Sequence, residues 1–193
     1  SDKRLILLNE QYILNLRNSI SKTSDEAAYK KLFYHFYPLL RRFAYNLLGN
    51  AEVAEEIVSD VFLKIWAIRD KLTLVKDLKL YLFKSVKNAC INYLKSAAHK
   101  YSKSTNFIEE TAKLYPSPES EYIYAELHQI IRSAINKLPA KRQLVFRLVK
   151  EYGLTYNQVS EVMQISQNTI ETHMRHALKK IKHALDKYQN IDK

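Results

Sequence analysis

The stretch Leu138–Leu185 reads LPAKRQLVFRLVKEYGLTYNQVSEVMQISQNTIETHMRHALKKIKHAL, and its pattern predicts three helices joined by short turns. Thr155 is a good cap for the middle helix, and Gln158 completes a Thr-x-x-Gln capping box. The second turn is predicted at residues 164–165, and the last helix then runs over Ser166–Tyr188. This spacing of two helices is typical of a helix-turn-helix.

The last helix keeps a polar outer face once its apolar residues are turned inward. Amide, hydroxyl and guanidinium groups on one helical face can form hydrogen bonds with base edges in the major groove of DNA. The residues of this face are Gln167, Asn168, Glu171, Thr172, Arg175, His176 and Lys179. A solvated face on a small helical bundle would have a similar composition, but the helix-turn-helix spacing favours DNA binding.

The composition favours helices throughout. The chain has 193 residues, of which 47% are hydrophobic, and only 2 Gly and 4 Pro with which to build turns. Both glycines, Gly49 and Gly153, stand where predicted helices should stop. We therefore expect an all-α chain of two small helical domains joined by a flexible linker, the second being the helix-turn-helix domain.

The charge indicates a polyanionic partner. The net charge is +11, from 31 Lys and Arg against 20 Asp and Glu, although basic residues also serve general solubility. Its distribution is uneven, since residues 78–108 contain no acid. A helix predicted from Leu78 to about His99 carries cationic and amide side chains that suit phosphates and bases. They are Lys84, Lys87, Asn88, Asn92 and Lys95.

The most regular helix is predicted from Ala51 to about Arg69, with an apolar stripe at helical spacing. Acids crowd its first half, which suits the positive end of a helix dipole but would also suit docking onto a basic protein. The stripe is wide, which leaves open that Phe62 or Trp66 stays partly exposed as an interface anchor.

Nothing in the sequence indicates an enzyme, a metal site or a cofactor. Two distant glycines cannot form a phosphate-binding loop, and no GxSxG, HExxH or paired-carboxylate pattern is present. Cys90 stands alone, which permits no internal disulfide and no zinc set and fits a packing role in a reducing cytoplasm. We expect no signal peptide and no direct membrane insertion, because no apolar run is long enough to span a bilayer.

The pattern divides the chain into four parts. Residues 1–24 form an extension, 25–100 a first domain, 101–121 a linker without periodicity, and 122–190 the domain with the helix-turn-helix. Apolar residues of the extension that could dock on the body are Leu5, Leu8, Tyr12 and Leu16.

Five segments in the right order carry a family resemblance over about residues 25–185. The first two are LFYHFYPLLRRFAYNLLGNAEVAEEIVSDVFLKIWAIRDKL and LYLFKSVKNACINYLK. The other three are LPAKRQLVF, YGLTYNQVSEVMQIS and NTIETHMRHALKKI. Together they resemble regions 2 and 4 of a small bacterial sigma factor of the extracytoplasmic-function (ECF) group, in the sigma-70 family.

The resemblance implies that the chain is not an enzyme but binds core RNA polymerase, through the β′ clamp and the β flap, and promoter DNA. It assigns the clamp contact to Asp60, Phe62, Leu63 and Trp66. The basic helix and the loop at residues 70–77 would open and hold the −10 strand, and the last helix would read the −35 element. An anti-sigma factor, often membrane-anchored in this group, is also implied.

The chain departs from the family pattern in the turn and on both DNA faces. Gln164 stands where a glycine is usual, so either it accepts an unfavourable backbone angle or the turn is built differently. Glu171 replaces a frequent basic residue, and Asn92 a common acid, so we expect altered promoter contacts. Two other hypotheses remain open: a stand-alone helix-turn-helix regulator that binds operator DNA, and a helical protein-interaction module.

Overall fold

The computed structural model describes residues 2–101 and 125–189, and every regular element in these ranges is a helix. The all-α prediction is thereby confirmed, whereas the predicted linker lies, apart from Tyr101, outside the described residues. The helices are α1 (Asp2–Thr23), α2 (Glu26–Leu48), α3 (Ala51–Ala67), a 3-10 helix (Arg69–Leu74), α4 (Leu78–Tyr101), α5 (Ala125–Asn136), α6 (Ala140–Lys150), α7 (Tyr156–Met163) and α8 (Gln167–Gln189).

The chain divides into two compact units. Unit one comprises residues 1–45 and 50–92, and unit two comprises residues 46–49 and 93–193. The core of unit one is formed by apolar faces of α2, α3 and α4 whose residues recur at helical spacing. Its fully buried members include Leu32, Leu40, Phe43, Val58, Ile65, Leu82, Phe83 and Val86.

Local signals fix the junction between α2 and α3. The backbone of Gly49 has φ 69°, a left-handed conformation that glycine adopts without steric cost. The Asn50 carboxamide then accepts a hydrogen bond from the Val53 backbone N–H (3.0 Å) and caps α3. The chain therefore turns where the sequence predicted a helix end.

One apolar residue of α1 that was expected to dock is exposed instead, and so are two apolar residues on other helices. Tyr12 is 45% exposed, and α1 docks through Leu16 and Ile20, which follow Tyr12 at four-residue steps along the same side of the helix. Tyr93 near the end of α4 and Leu127 at the start of α5 are also exposed. The predicted docking of Tyr12 is therefore wrong, because the buried face of α1 begins further along the helix.

In unit two, α8 packs on α5, α6 and α7. Its buried stripe is Ile170, Met174, Ala177 and Ile181, which faces Val145, Leu148, Val159 and Val162 of the unit's core. The burial of two polar residues of α6, Gln143 and Arg147, was not predicted. Both donate hydrogen bonds to the Asn136 side-chain oxygen, at 3.0 and 3.2 Å, and thus join α6 to α5.

Candidate nucleic-acid interface

Hydrogen bonds fix both the start of α7 and the turn between α7 and α8. Thr155 Oγ1 accepts a hydrogen bond from the Gln158 N–H (3.2 Å), and the Gln158 side chain accepts one from the Thr155 N–H (2.8 Å), so the predicted capping box is present. Gln164 has φ 57° and ψ 44°, the left-handed conformation, and its N–H donates to the Ser160 carbonyl. Of the two alternatives for this turn, Gln164 therefore accepts the unfavourable backbone angle.

The predicted reading face is exposed along the first turns of α8. All of Gln167, Asn168, Glu171, Thr172, Arg175, His176 and Lys179 are on the exposed side. Neither Glu171 nor Arg175 forms an ion pair with another described residue, although they stand one turn apart. Both side chains are therefore available to an external partner.

Contacts at its start orient α8. The Ser166 hydroxyl accepts from the Thr169 N–H (3.2 Å), and the Gln167 amide donates to the Asn157 side-chain oxygen on α7 (3.1 Å). At about 1.5 Å of rise per residue, Gln167 to Arg175 covers roughly 12 Å. Since the major groove is about 12 Å wide, this stretch can lie inside it while Lys179 stays near the backbone phosphates.

A cationic flank lies beside the reading face. Burial lowers the pKa of the His173 imidazole, and Arg142, Lys141 and His176 lower it further because they repel its protonated form. His173 is thus held neutral next to cations from α6 and α8. Those cations are placed to contact DNA phosphates on this side of α8.

The predicted basic residues of α4 are accessible in different degrees. Asn88, Asn92 and Lys95 are exposed, whereas Lys84 and Lys87 are half-buried. Burial lowers the pKa of the Lys87 ammonium, and the nearby positive charge of Lys84 lowers it further. An anion bound between these two lysines would relieve their repulsion, which is the electrostatic condition for a phosphate contact.

The predicted loop before α4 is partly helical. Arg69–Leu74 forms the six-residue 3-10 helix, with Leu72 fully buried and Leu74 77% exposed. The Asp77 carboxylate accepts a hydrogen bond from the Leu80 N–H (2.9 Å), which caps the start of α4. We call residues 69–76 the connector; it leads from α3 to Asp77, the residue that caps the basic helix.

The predicted protein-docking face of α3 requires one correction. Asp60 is exposed, Leu63 is 66% exposed and Trp66 is half-buried. Phe62 is only 1% exposed, so the expectation that it offers a contact is wrong. Its ring packs on Phe33 with a centroid distance of 4.8 Å, and it serves the core.

Tyr29 of α2 was missed in the sequence, although it supports this face directly. Its hydroxyl donates to the Phe62 carbonyl (2.7 Å), and its ring lies 4.8 Å from that of Trp66. The Arg69 guanidinium covers the Trp66 ring at 4.9 Å. The only sequence signal was helical spacing in an aromatic-rich helix, which does not distinguish a support from an ordinary core residue.

Other chemistry has little basis in the part of the chain that the structure describes. No group of His, Cys, Asp and Glu within residues 2–101 and 125–189 could hold a metal ion. Burial raises the pKa of the Cys90 thiol to about 12, so it stays protonated at neutral pH. Among the described helices, none is long and apolar enough to cross a membrane.

Comparison with known proteins adds to this geometry. The family model for sigma-70 region 2 matches residues 32–100, and that for sigma-70 region 4 matches residues 128–181. The ECF RNA polymerase sigma factor SigW of Bacillus subtilis is 23% identical over 170 residues, 82% of this chain and 91% of that protein. The ECF sigma factor EcfG of Rhodopseudomonas palustris is 24% identical over 144 residues, 75% of this chain and 77% of its own length.

The chain belongs to the ECF group of the sigma-70 family. A solved structure with the same fold is the sigma factor RpoE of Bartonella quintana in complex with the anti-sigma factor NepR. It superposes with a TM-score of 0.56 at 21% identity and covers 81% of this ECF chain and 96% of its own. The reading face of α8 lies within the region 4 match, and the α3 face, the connector and most of α4 lie within the region 2 match.

Proposed function

We propose that this ECF sigma factor binds core RNA polymerase and directs promoter-specific initiation, with its two units contacting different promoter elements. The observation that carries this proposal is the order of surfaces along the chain. An acidic and apolar face comes first, a basic helix second and a helix-turn-helix last, within matches to regions 2 and 4. Recognition is its contribution, while the polymerase performs the chemistry.

The −35 element is assigned to α8. Gln167, Asn168, Glu171, Thr172 and Arg175 lie in the stretch that fits the width of the groove and would contact base edges. His176 and Lys179 lie further along the helix and would contact phosphates. The packing of α8 on three helices holds this face rigid, which favours discrimination between bases.

The −10 element is assigned to α4 and the connector. Lys84, Lys87 and Lys95 would hold phosphates of the separated strand, while Asn88 and Asn92 would reach its bases. The two asparagines are one turn apart and exposed on the same side of α4. An unstacked base needs a pocket beside such a positively charged track, and the connector adjoins the start of α4.

Polymerase docking is assigned first to α3. The exposed Leu63 and half-buried Trp66 supply apolar area beside the Asp60 carboxylate, a combination that fits a basic, amphipathic partner such as the β′ clamp. Phe62 is left out of this surface because it is buried. In unit two, a groove of about 650 Å³ between α5 and α8, lined by Ile130, Ala134 and Ala184 among others, is the site we assign to the β flap.

Regulation by an anti-sigma factor follows from the same surfaces. The Bartonella quintana relative of similar fold was crystallised with its anti-sigma factor. We propose that an anti-sigma factor, itself membrane-anchored or soluble, covers the Leu63 face and so excludes core polymerase. The sigma factor would then be held in the cytoplasm, where its promoters are.

Reconstitution tests the proposed function. Purified chain is added to bacterial core RNA polymerase on fragmented genomic DNA, and the transcripts are sequenced. We expect new start sites that share −10 and −35 sequences and depend on added chain. Absence of such transcripts, together with tight DNA binding by the chain alone, would instead support the stand-alone regulator. Absence of both would support the protein-interaction module.

A further inference from the structure

The connector is held at both ends by side chains of α1. The Arg17 guanidinium donates a hydrogen bond to the Val75 carbonyl, and the Ser21 hydroxyl donates to the Asp70 carbonyl (3.0 Å). The partners are 58 and 49 residues apart in sequence, so these are tertiary contacts. Val75 directly follows the 3-10 helix, where a carbonyl has no partner within the helix, and here the side chain of another helix supplies one.

Apolar packing supports the same contact. Leu72 of the connector has no exposed surface, and α1 buries Leu16 and Ile20 on the face that also carries Arg17 and Ser21. The Arg17 Nε is buried without an acceptor among the described residues. A guanidinium is desolvated at a cost, so the bond to Val75 must offset part of that cost.

The outward side of the connector is chemically suited to a nucleotide. Lys71, Thr73, Leu74 and Lys76 are all exposed, and Leu74 is the most exposed of the large hydrophobic residues described. The lysines suit a phosphate, and a leucine held away from the core can pack against the face of an unstacked base.

We propose that α1 is a brace that holds the connector in the shape that receives one unstacked base of the −10 strand. The inference rests on the proposed function. Arg17 and Ser21 are positioning residues that do not touch DNA. Without them the connector would have to be ordered during binding, and ordering one backbone residue corresponds to a loss of about tenfold in affinity.

Hydrogen exchange of the full chain tests the structural half of the proposal. Arg17→Met keeps the aliphatic stem and removes the guanidinium, and we expect the amides of residues 71–76 to exchange about tenfold faster. The amides of α3 and α4 should be unchanged. Lys22→Met is the matched control, because Lys22 is exposed on the same helix and its substitution also removes one positive charge. Unchanged exchange in the Arg17 variant would overturn the brace.

Initiation by the holoenzyme tests the functional half, on a promoter found by reconstitution. We measure the initiation rate on the intact promoter and on derivatives with one abasic site at each −10 position. Arg17→Met should reduce the ratio of intact to abasic rates about tenfold at a single position. Effects of −35 substitutions should be the same as in the parent chain. A loss of folded protein would lower both rates and leave the ratio unchanged.

Two further variants separate the outcomes. Ser21→Ala removes only a hydroxyl and should move the ratio in the same direction by less, and Arg17→Lys should restore part of it. If the parent holoenzyme initiates but its ratio does not respond to Arg17→Met, the brace is overturned and the proposed function stands. If the parent holoenzyme initiates at no promoter, the proposed function fails and the DNA role of the connector fails with it. The exchange data then still decide whether α1 holds the connector.

Discussion

The left-handed residue in the helix-turn-helix predicts both the direction and the magnitude of a change in stability. Gln164 has φ 57° and ψ 44°, and its side chain is exposed. The left-handed conformation costs a residue with a Cβ about 1–2 kcal/mol, which glycine avoids. Glycine loses more backbone entropy on folding, by about 0.5–1 kcal/mol. Gln164→Gly should therefore raise the free energy of unfolding of unit two by about 0.5–1 kcal/mol.

Lys182→Gly is the control with the opposite expected sign. Lys182 is exposed within α8, where glycine costs about 1 kcal/mol because the right-handed helix gives it no compensating relief. Both changes replace a long exposed side chain with hydrogen, so loss of side-chain contacts cannot explain a difference between them. The sign depends only on the local backbone conformation.

The two units require separate probes. Native-state hydrogen exchange of buried amides in α7 and α8 reports unit two. The single tryptophan, Trp66, lies in unit one, and its fluorescence transition should not move in either variant. If Gln164→Gly destabilises unit two as much as Lys182→Gly does, the left-handed turn is not the conformation in solution.

Three more substitutions test the assigned surfaces, and a fourth, at the buried Phe62, is a control. Glu171→Ala should raise the affinity of the holoenzyme for unrelated DNA severalfold, because a carboxylate repels phosphates. It should also remove the preference for one −35 base pair, because a carboxylate can accept a hydrogen bond from cytosine N4. Band-shift assays on randomised −35 sites measure both effects. Leu63→Ser should weaken binding to core polymerase by about tenfold or more in a pull-down titration and leave the thermal stability of the chain unchanged. Phe62→Ala should instead lower the free energy of unfolding by about 3–5 kcal/mol, because it opens a cavity in the core. Lys87→Ala should remove about one phosphate contact from −10 strand binding. The slope of log affinity against log salt concentration should become shallower by the corresponding amount. An unchanged slope would show that Lys87 does not contact the strand.

Local signals made the helix-turn-helix predictable. Its boundaries depend on a capping box at Thr155 and a cap at Ser166, whose partners lie within three residues. Such hydrogen bonds are set by residue type and spacing alone. The exposed face of α8 follows from the same short-range periodicity, because one turn determines where the next one points.

Which of two neighbouring residues on the wide apolar stripe of α3 is buried could not be predicted from the sequence. Phe62 and Leu63 are adjacent on α3, and either could have pointed outward given the pattern of α3 alone. The outcome depends on Tyr29 and Phe33 of α2, which occupy the space on the Phe62 side. Which side a different helix fills is tertiary information that periodicity does not contain.

The contacts between α1 and the connector were missed for another reason. Arg17 and Ser21 donate to backbone carbonyls, and every residue has a carbonyl, so the acceptor leaves no mark in the sequence. The apolar residues of the segment at residues 1–24 predicted only that it could dock on the body. It could not show that the docking partner would be the connector.

Arg69 contacts the proposed docking face of α3 and forms the start of the connector. Its guanidinium lies over the Trp66 ring, donates to the Trp66 carbonyl (3.0 Å) and donates from Nε to the Ser24 hydroxyl (2.9 Å). Arg69 is also the first residue of the connector. A partner that presses on Trp66 therefore acts on the side chain that anchors the start of the connector. Because packed side chains move between discrete arrangements rather than deforming continuously, we expect the proposed polymerase docking on α3 and the proposed base capture by the connector to be energetically coupled through Arg69.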